Sequence, residues 1–167
     1  MRIDTSKIRR NSIIELCVVP DVQIHLIMKQ MSASFDHPYF FDTIGNLKYV
    51  VEDAIEIYSL RKLIRELNKM KAHDSFTLFI DSITIIGDKK DGSSTVFSIL
   101  WDLVYTNKAT IILSNHYQYF VNGSKSYFVP RLGKRFWNLV NYRIFFQYKR
   151  NKLSYEIVDN SMLEIKA

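Results

Sequence analysis

Three apolar runs in this 167-residue chain close on an aspartate: "CVVPD" at Asp21, "YFFD" at Asp42 and "LFID" at Asp81. A carboxylate at the end of a buried strand can hold Mg²⁺, directly or through water, as nucleotide-binding strands do. Asp42 and Asp81 could instead build a two-metal nuclease or phosphatase site. They could also simply cap the turns where their strands end. The first run raises a sharper question. "SIIELCVVPDVQIHLIM", Ser12 to Met28, is a strand, a turn at Pro20-Asp21 and an apolar helix. A phosphate-binding loop belongs at that junction, with glycines that let backbone N–H groups turn inward and a lysine for the charge. This stretch holds neither Gly nor Lys.

Other reactive groupings are poorer. His25, His37, His73 and His116 have no metal-ligand spacing, and no G-x-S-x-G elbow is present. The single cysteine, Cys17, lies inside an apolar run, where it packs as a small hydrophobe. That excludes a disulfide framework and a cysteine metal site, and suits a reducing compartment. The N-terminal "MRIDTSKIRR" lacks the apolar stretch of a secretory signal. No apolar run approaches the roughly 18–20 residues that cross a bilayer, so no membrane is expected.

Charge is the second functional signal. From His116 to Lys152 there are eight basic residues and no Asp or Glu, in a chain whose net charge is +6. The remainder is therefore slightly acidic. A one-sided basic segment is the footprint of a polyanion such as nucleic acid, or of an acidic protein surface.

The elements that must position these groups follow from patterning. An apolar content of 47% in a chain of this length predicts one folded domain over 1–167. Strands are expected at 13–19, 39–43, 54–59, 76–83 and 109–115. Helices are expected at 21–33, capped by Asp21, at 60–72, with Leu60, Leu63, Ile64, Leu67 and Met70 on one stripe, and at 95–107. Residues 88–94 and 116–137 are expected as loops, and 141–149 with 152–160 as a hairpin turning at Arg150-Asn151. This order predicts an α/β fold: a mostly parallel twisted sheet, flanked by helices, with an antiparallel hairpin at the C-terminal end. Ligands of such sheets bind at the carboxyl ends of the strands, where the aspartates fall.

Laid end to end, these pieces resemble the RecA-type recombinase family, in particular its eukaryotic paralogues. "SIIELCVVPDVQIH" is similar to the family's strand and P-loop, without a gap. "YFFDTIGN" resembles its "Y-I-D-T-E-G" strand, and "FTLFIDSIT" its Walker-B strand. "ATIILSNHY" resembles the strand ending in "T-N-Q". "VPRLGKRFWNLVNYRIFFQYKR" resembles the paralogue pattern "P-x-L-G-x-x-W-x-x-x-x-x-x-R" with its basic hairpin. The likeness covers about residues 10 to 160.

The departures point away from catalysis. The family's first P-loop Gly falls on Val18, and its Gly-Lys-Thr on Gln23, Ile24 and His25. Its catalytic Glu falls on Ile44 and its "T-N-Q" Gln on His116. Of the metal-holding groups Asp81 alone remains. The resemblance therefore implies a degenerate Walker A on an intact scaffold, with no ATP hydrolysis and no cofactor. Because Val18, Ile24 and Leu26 are apolar, the former nucleotide pocket is expected to be packed or closed.

In RecA-like proteins the loop after the "T-N-Q" strand touches DNA. Here that loop carries Lys125, Arg131, Lys134 and Arg135 beside Tyr117, Tyr119, Phe120, Tyr127, Phe128, Phe136 and Trp137. Basic groups can track phosphates while aromatics stack on unpaired bases. Phe128, Phe136 and Trp137 could equally pack, with the loop docking on a partner protein. The family's N-terminal helical domain and inserting linker are not matched, so the chain is not expected to form filaments alone. The resemblance implies a nuclear, non-catalytic subunit of a recombination-mediator complex of the Shu type. Its partners would be other recombinase paralogues, the recombinase and single-stranded DNA. The competing readings are the Mg²⁺-dependent nuclease or phosphatase on Asp42 and Asp81, and a purely protein-binding adaptor.

Overall fold

A computed structural model describes residues 3–86, 90–123, 125–132, 136, 138–149 and 152–160; for 90–92, 119, 120, 122, 125–130 and 149 it describes the backbone alone. Among the described residues eight strands and three α-helices follow one another as β1 (Ile13–Val18), α1 (Ile24–Ser32), β2 (Pro38–Asp42), β3 (Ile55–Glu56), α2 (Leu60–Lys69), β4 (Thr77–Asp81), α3 (Lys90–Thr106), β5 (Thr110–Asn122), β6 (Lys125–Pro130), β7 (Tyr142–Lys149) and β8 (Lys152–Asp159). The sheet order is β3-β2-β4-β5-β1-β7-β8, with β6 paired to β5 beyond the sheet. All neighbours from β3 to β7 are parallel, and β7–β8 closes the sheet as an antiparallel hairpin. This is the α/β architecture expected from the order of elements.

Helices cover both faces, which is why β1 and β4 are buried at every position and mostly apolar rather than apolar at alternate positions. Successive residues of one strand serve opposite faces. Phe41, Leu78, Ile80, Ile111 and Leu113 pack beneath α2 and α3, with Leu63, Leu67, Leu100 and Leu103. Their neighbours Phe40, Phe79 and Ile112, with Leu16 and Ile144, pack beneath α1, against Ile24, Ile27, Met28 and Met31. Ser59 caps α2, its hydroxyl accepting from the Lys62 N–H, as Ser favours at that position.

Four expectations need correction. Asp21 does not cap α1: it sits at φ 69, helix α1 begins at Ile24, and Gln23 in the cap position makes no side-chain cap bond. The turn is a tight one, with Val22 N–H donating to the Val19 carbonyl, and it uses up the residues that would have started the helix. Helix α3 begins at Lys90, inside the segment expected as a loop. The expected strand at 54–59 shrinks to Ile55–Glu56, because only Phe41 and Asp42 of β2 lie beside it. The largest correction is at 116–137. Instead of a loop, β5 runs on to Asn122 and β6 returns beside it, pairing Tyr117 with Pro130 and Asn122 with Lys125. A two-stranded ribbon thus grows from the end of a central strand.

Candidate functional site at the strand carboxyl ends

Strands β1, β2, β4 and β5 are parallel, so their carboxyl ends meet at one edge of the molecule. Asp42 and Asp81 are register partners there. They do different jobs. Asp42 Oδ1 accepts from the backbone N–H groups of Ile44 and Gly45 at 3.2 and 2.7 Å, and Oδ2 from that of Lys48 at 2.9 Å. Three backbone donors hold this carboxylate as the pivot of the turn after β2, so the turn-capping role applies to Asp42.

Asp81 is fully buried. Its Oδ1 accepts from the Ser114 hydroxyl at 2.6 Å, while Oδ2 has no hydrogen-bond partner among the described residues. Burial, and to a smaller extent the Asp42 charge, push its pKa up to about 6 against the Ser114 hydrogen bond. Hydroxyls surround it: Ser82 Oγ lies 2.8 Å from Thr84 Oγ1 and donates to the Ser114 carbonyl at 3.0 Å, and Thr43 Oγ1 donates to the Ser82 carbonyl. Among the described residues no group of three His, Cys, Asp or Glu is placed to hold a metal ion.

Beside this cluster, a cleft of about 380 Å³ opens between the β1–α1 turn and the root of the β5–β6 ribbon, lined among others by Val18, Val22, Ile44, Thr84, His116 and Arg131. The expectation of a packed or closed pocket is therefore corrected. Val18 and Ile24 are buried, as their chemistry requires, but the tight turn after Val19 leaves the space beside it open. Leu26 takes no part: it is 44% exposed and lines a separate groove with Tyr148 and Leu153. Gln23 lines that outer groove too, and His25 is half-buried on α1, so neither lines the cleft. Among the described residues the cleft offers no lysine. Its polar groups are His116, whose Nε2 is buried without a partner among the described residues, Thr84, Gln118, Asp21 and Arg131. Burial and the nearby Arg131 charge lower the His116 pKa, so the imidazole is neutral at pH 7.

Arg131 is the one residue among Lys125, Arg131, Lys134, Arg135, Tyr127 and Phe128 whose side chain is described. It is exposed at the cleft rim, and its backbone N–H donates to the His116 carbonyl at 3.0 Å. Lys125, Tyr127 and Phe128 lie on β6, described by backbone; Lys134, Arg135 and Trp137 lie outside the described residues. Two expected aromatics are not available for stacking. Tyr117 is buried with its hydroxyl on Cys17 Sγ at 3.2 Å, and Phe136 is buried edge-on against Phe97. Arg143, counted in the basic segment, is also buried, with Nε on Glu15 Oε2. A window charge count cannot tell a buried cation from a solvated one, and only the cross-strand register exposes the difference.

No family model matches the chain, and no curated protein matches its sequence. Among solved structures, the crystal structure of the RadB recombinase superimposes with a TM-score of 0.61, covering 89% of this chain and 80% of that one at 13% identity. The fold is RecA-like. The turn between β1 and α1 is where the resemblance sets the P-loop, and the cleft beside it is bounded by Val18, Ile44 and His116. Those are the residues that stand where the resemblance sets the first glycine, the catalytic glutamate and the sensing glutamine.

Proposed function

We propose that the chain is a non-catalytic recombinase-type subunit that binds single-stranded DNA and partner subunits and assists recombinase filament assembly in DNA repair. The observation that carries this reading is the cleft itself. It lies where the resemblance sets the nucleotide, and valine, isoleucine and a neutral histidine line it where the resemblance sets glycine, glutamate and glutamine. Among the described residues the site has no lysine to offset phosphate charge, and Ile44 stands where the resemblance sets the glutamate that orients an attacking water. What remains usable is the ribbon, which carries Lys125, with exposed Arg131 at its root and Lys134 and Arg135 following in the sequence. The likeness to a recombinase structure supports a recombination reading, and the apolar lining of the cleft supports an accessory one.

The metal-dependent nuclease or phosphatase is disfavoured by one feature: the Asp42 oxygens are committed to backbone donors. The test is a binding titration with a fluorescent single-stranded oligonucleotide, alone and with co-purified partners. Charge reversal of Arg131, Lys134 and Arg135 should weaken binding and flatten its salt dependence. Unchanged affinity after reversal would remove the ribbon from the account, and Mg²⁺-dependent cleavage of the oligonucleotide would favour the nuclease.

A further inference from the structure

The tip of the β5–β6 ribbon carries a reactive pair. Strand β5 ends at Asn122, β6 begins at Lys125, and the two are cross-strand partners, so two residues make the turn. The first of them, Gly123, is exposed at φ +61, and a Cβ placed on it would meet nothing within 4 Å. A two-residue hairpin needs positive φ at its first turn position, which glycine supplies without strain, and Asn122 precedes that glycine directly. Of the ten asparagines in the chain, Asn122 alone precedes a glycine.

We propose that Asn122 is a self-modifying site, converting spontaneously to aspartate and isoaspartate at the tip of the ribbon. The Gly123 nitrogen gives its proton to hydroxide and attacks the side-chain carbonyl carbon of Asn122. A five-membered succinimide forms as the Cγ–N bond breaks, and the departing nitrogen takes a proton to leave as ammonia. Water then opens the ring at either carbonyl, giving aspartate or isoaspartate. No oxidant, metal or enzyme is needed. Three structural features favour the step. Glycine has no side chain to shield its nitrogen. The first turn residue of a two-residue hairpin keeps its N–H outside the ladder, so ladder pairing does not hold that nitrogen. The adjacent Val121 is 67% exposed, so the tip is open to water.

The product has a consequence for the proposed role, and this step rests on that reading. Each conversion adds a negative charge opposite Lys125, on the element assigned to a polyanion. An isoaspartate also inserts an extra backbone carbon into the turn and disturbs the Asn122–Lys125 pairing. The ribbon would lose polyanion affinity as the protein ages.

The test uses the full chain, incubated at neutral and mildly alkaline pH. A synthetic peptide of residues 119–126 serves as the unstructured reference. Peptide mapping by mass spectrometry reads the site, and methyl transfer by protein isoaspartyl methyltransferase reads the isoaspartate. The expected result is a deamidation mass gain confined to the peptide containing Asn122, faster at higher pH and abolished in Asn122→Gln. An Asn122 that stays intact while the reference peptide converts would overturn the proposal. Asn122→Asp, which mimics the product charge, is then expected to bind single-stranded oligonucleotide about two- to fivefold more weakly at low salt, converging with the parent at high salt. If the parent binds no oligonucleotide at all, the proposed function fails while the mass data still decide the modification.

Discussion

Arg143 Nε and Glu15 Oε2 lie 2.6 Å apart across the β1–β7 pair, with neither residue exposed. They are register partners on the face beneath α2 and α3, and Asn115 Nδ2 donates to the other Glu15 oxygen at 2.8 Å. Burial raises the Glu15 pKa, and Arg143 and Asn115 oppose that shift. The pair fastens the C-terminal hairpin to the first strand of the core. Glu15→Gln keeps the shape and leaves the guanidinium without its counter-charge, so unfolding in urea should show a loss of about 3–5 kcal/mol. The double variant Glu15→Leu/Arg143→Met should lose much less than the sum of its single changes. Additive losses would show that the two residues do not act together.

Asp81 sets a pH dependence. Its folded pKa of about 6 lies above the ordinary 3.8, so the native state holds this proton more tightly than the unfolded chain. The stability this group supplies is full below the ordinary value and is lost as pH rises through about 6. Asp81→Asn should therefore raise the unfolding free energy at pH 7 by about 1–2 kcal/mol and flatten the slope between the two values. A variant less stable than the parent at pH 7 would mean that the carboxylate meets an unseen counter-charge.

Asp42 is predicted to be architectural. Asp42→Ala strips acceptors from the N–H groups of Ile44, Gly45 and Lys48 and should cost about 2 kcal/mol in thermal or urea unfolding. Asp42→Asn keeps an acceptor and should cost less. Equal losses in both would place the effect in charge rather than in the turn.

The cleft is predicted to ignore nucleotide. Millimolar ATP with Mg²⁺ should leave the thermal midpoint unchanged, since a ligand that does not bind the native state cannot stabilise it. A concentration-dependent rise would restore nucleotide affinity to the site beside Val18 and Ile44.

Much of the scaffold was legible because burial on both faces writes itself as uninterrupted apolar runs. β2, β4 and the first half of β5 are such runs, β1 is one broken only by Glu15, and α2 announces itself by its Leu63–Leu67 stripe and the Ser59 cap. The ribbon was not. Beyond His116, strand β5 leaves the two-sided core, so its pairing with β6 needs no apolar run, and mixed aromatic and basic residues look like a loop. The open cleft was missed for a different reason: apolar side chains fix which atoms are buried, but the φ 69 turn at Asp21 decides how much space is left beside them. Arg143 was misplaced because its partner Glu15 lies far away in sequence.

The central claim is that nucleic-acid binding here is independent of nucleotide chemistry. The most direct measurement titrates fluorescent single-stranded DNA with the protein and its co-purified partners, with and without ATP and Mg²⁺, while phosphate release is followed in the same samples. The account predicts the same affinity in both conditions, weakened by reversing Arg131, Lys134 and Arg135, with no phosphate release above the DNA-only control. Phosphate release that is abolished by Asp81→Ala would contradict it.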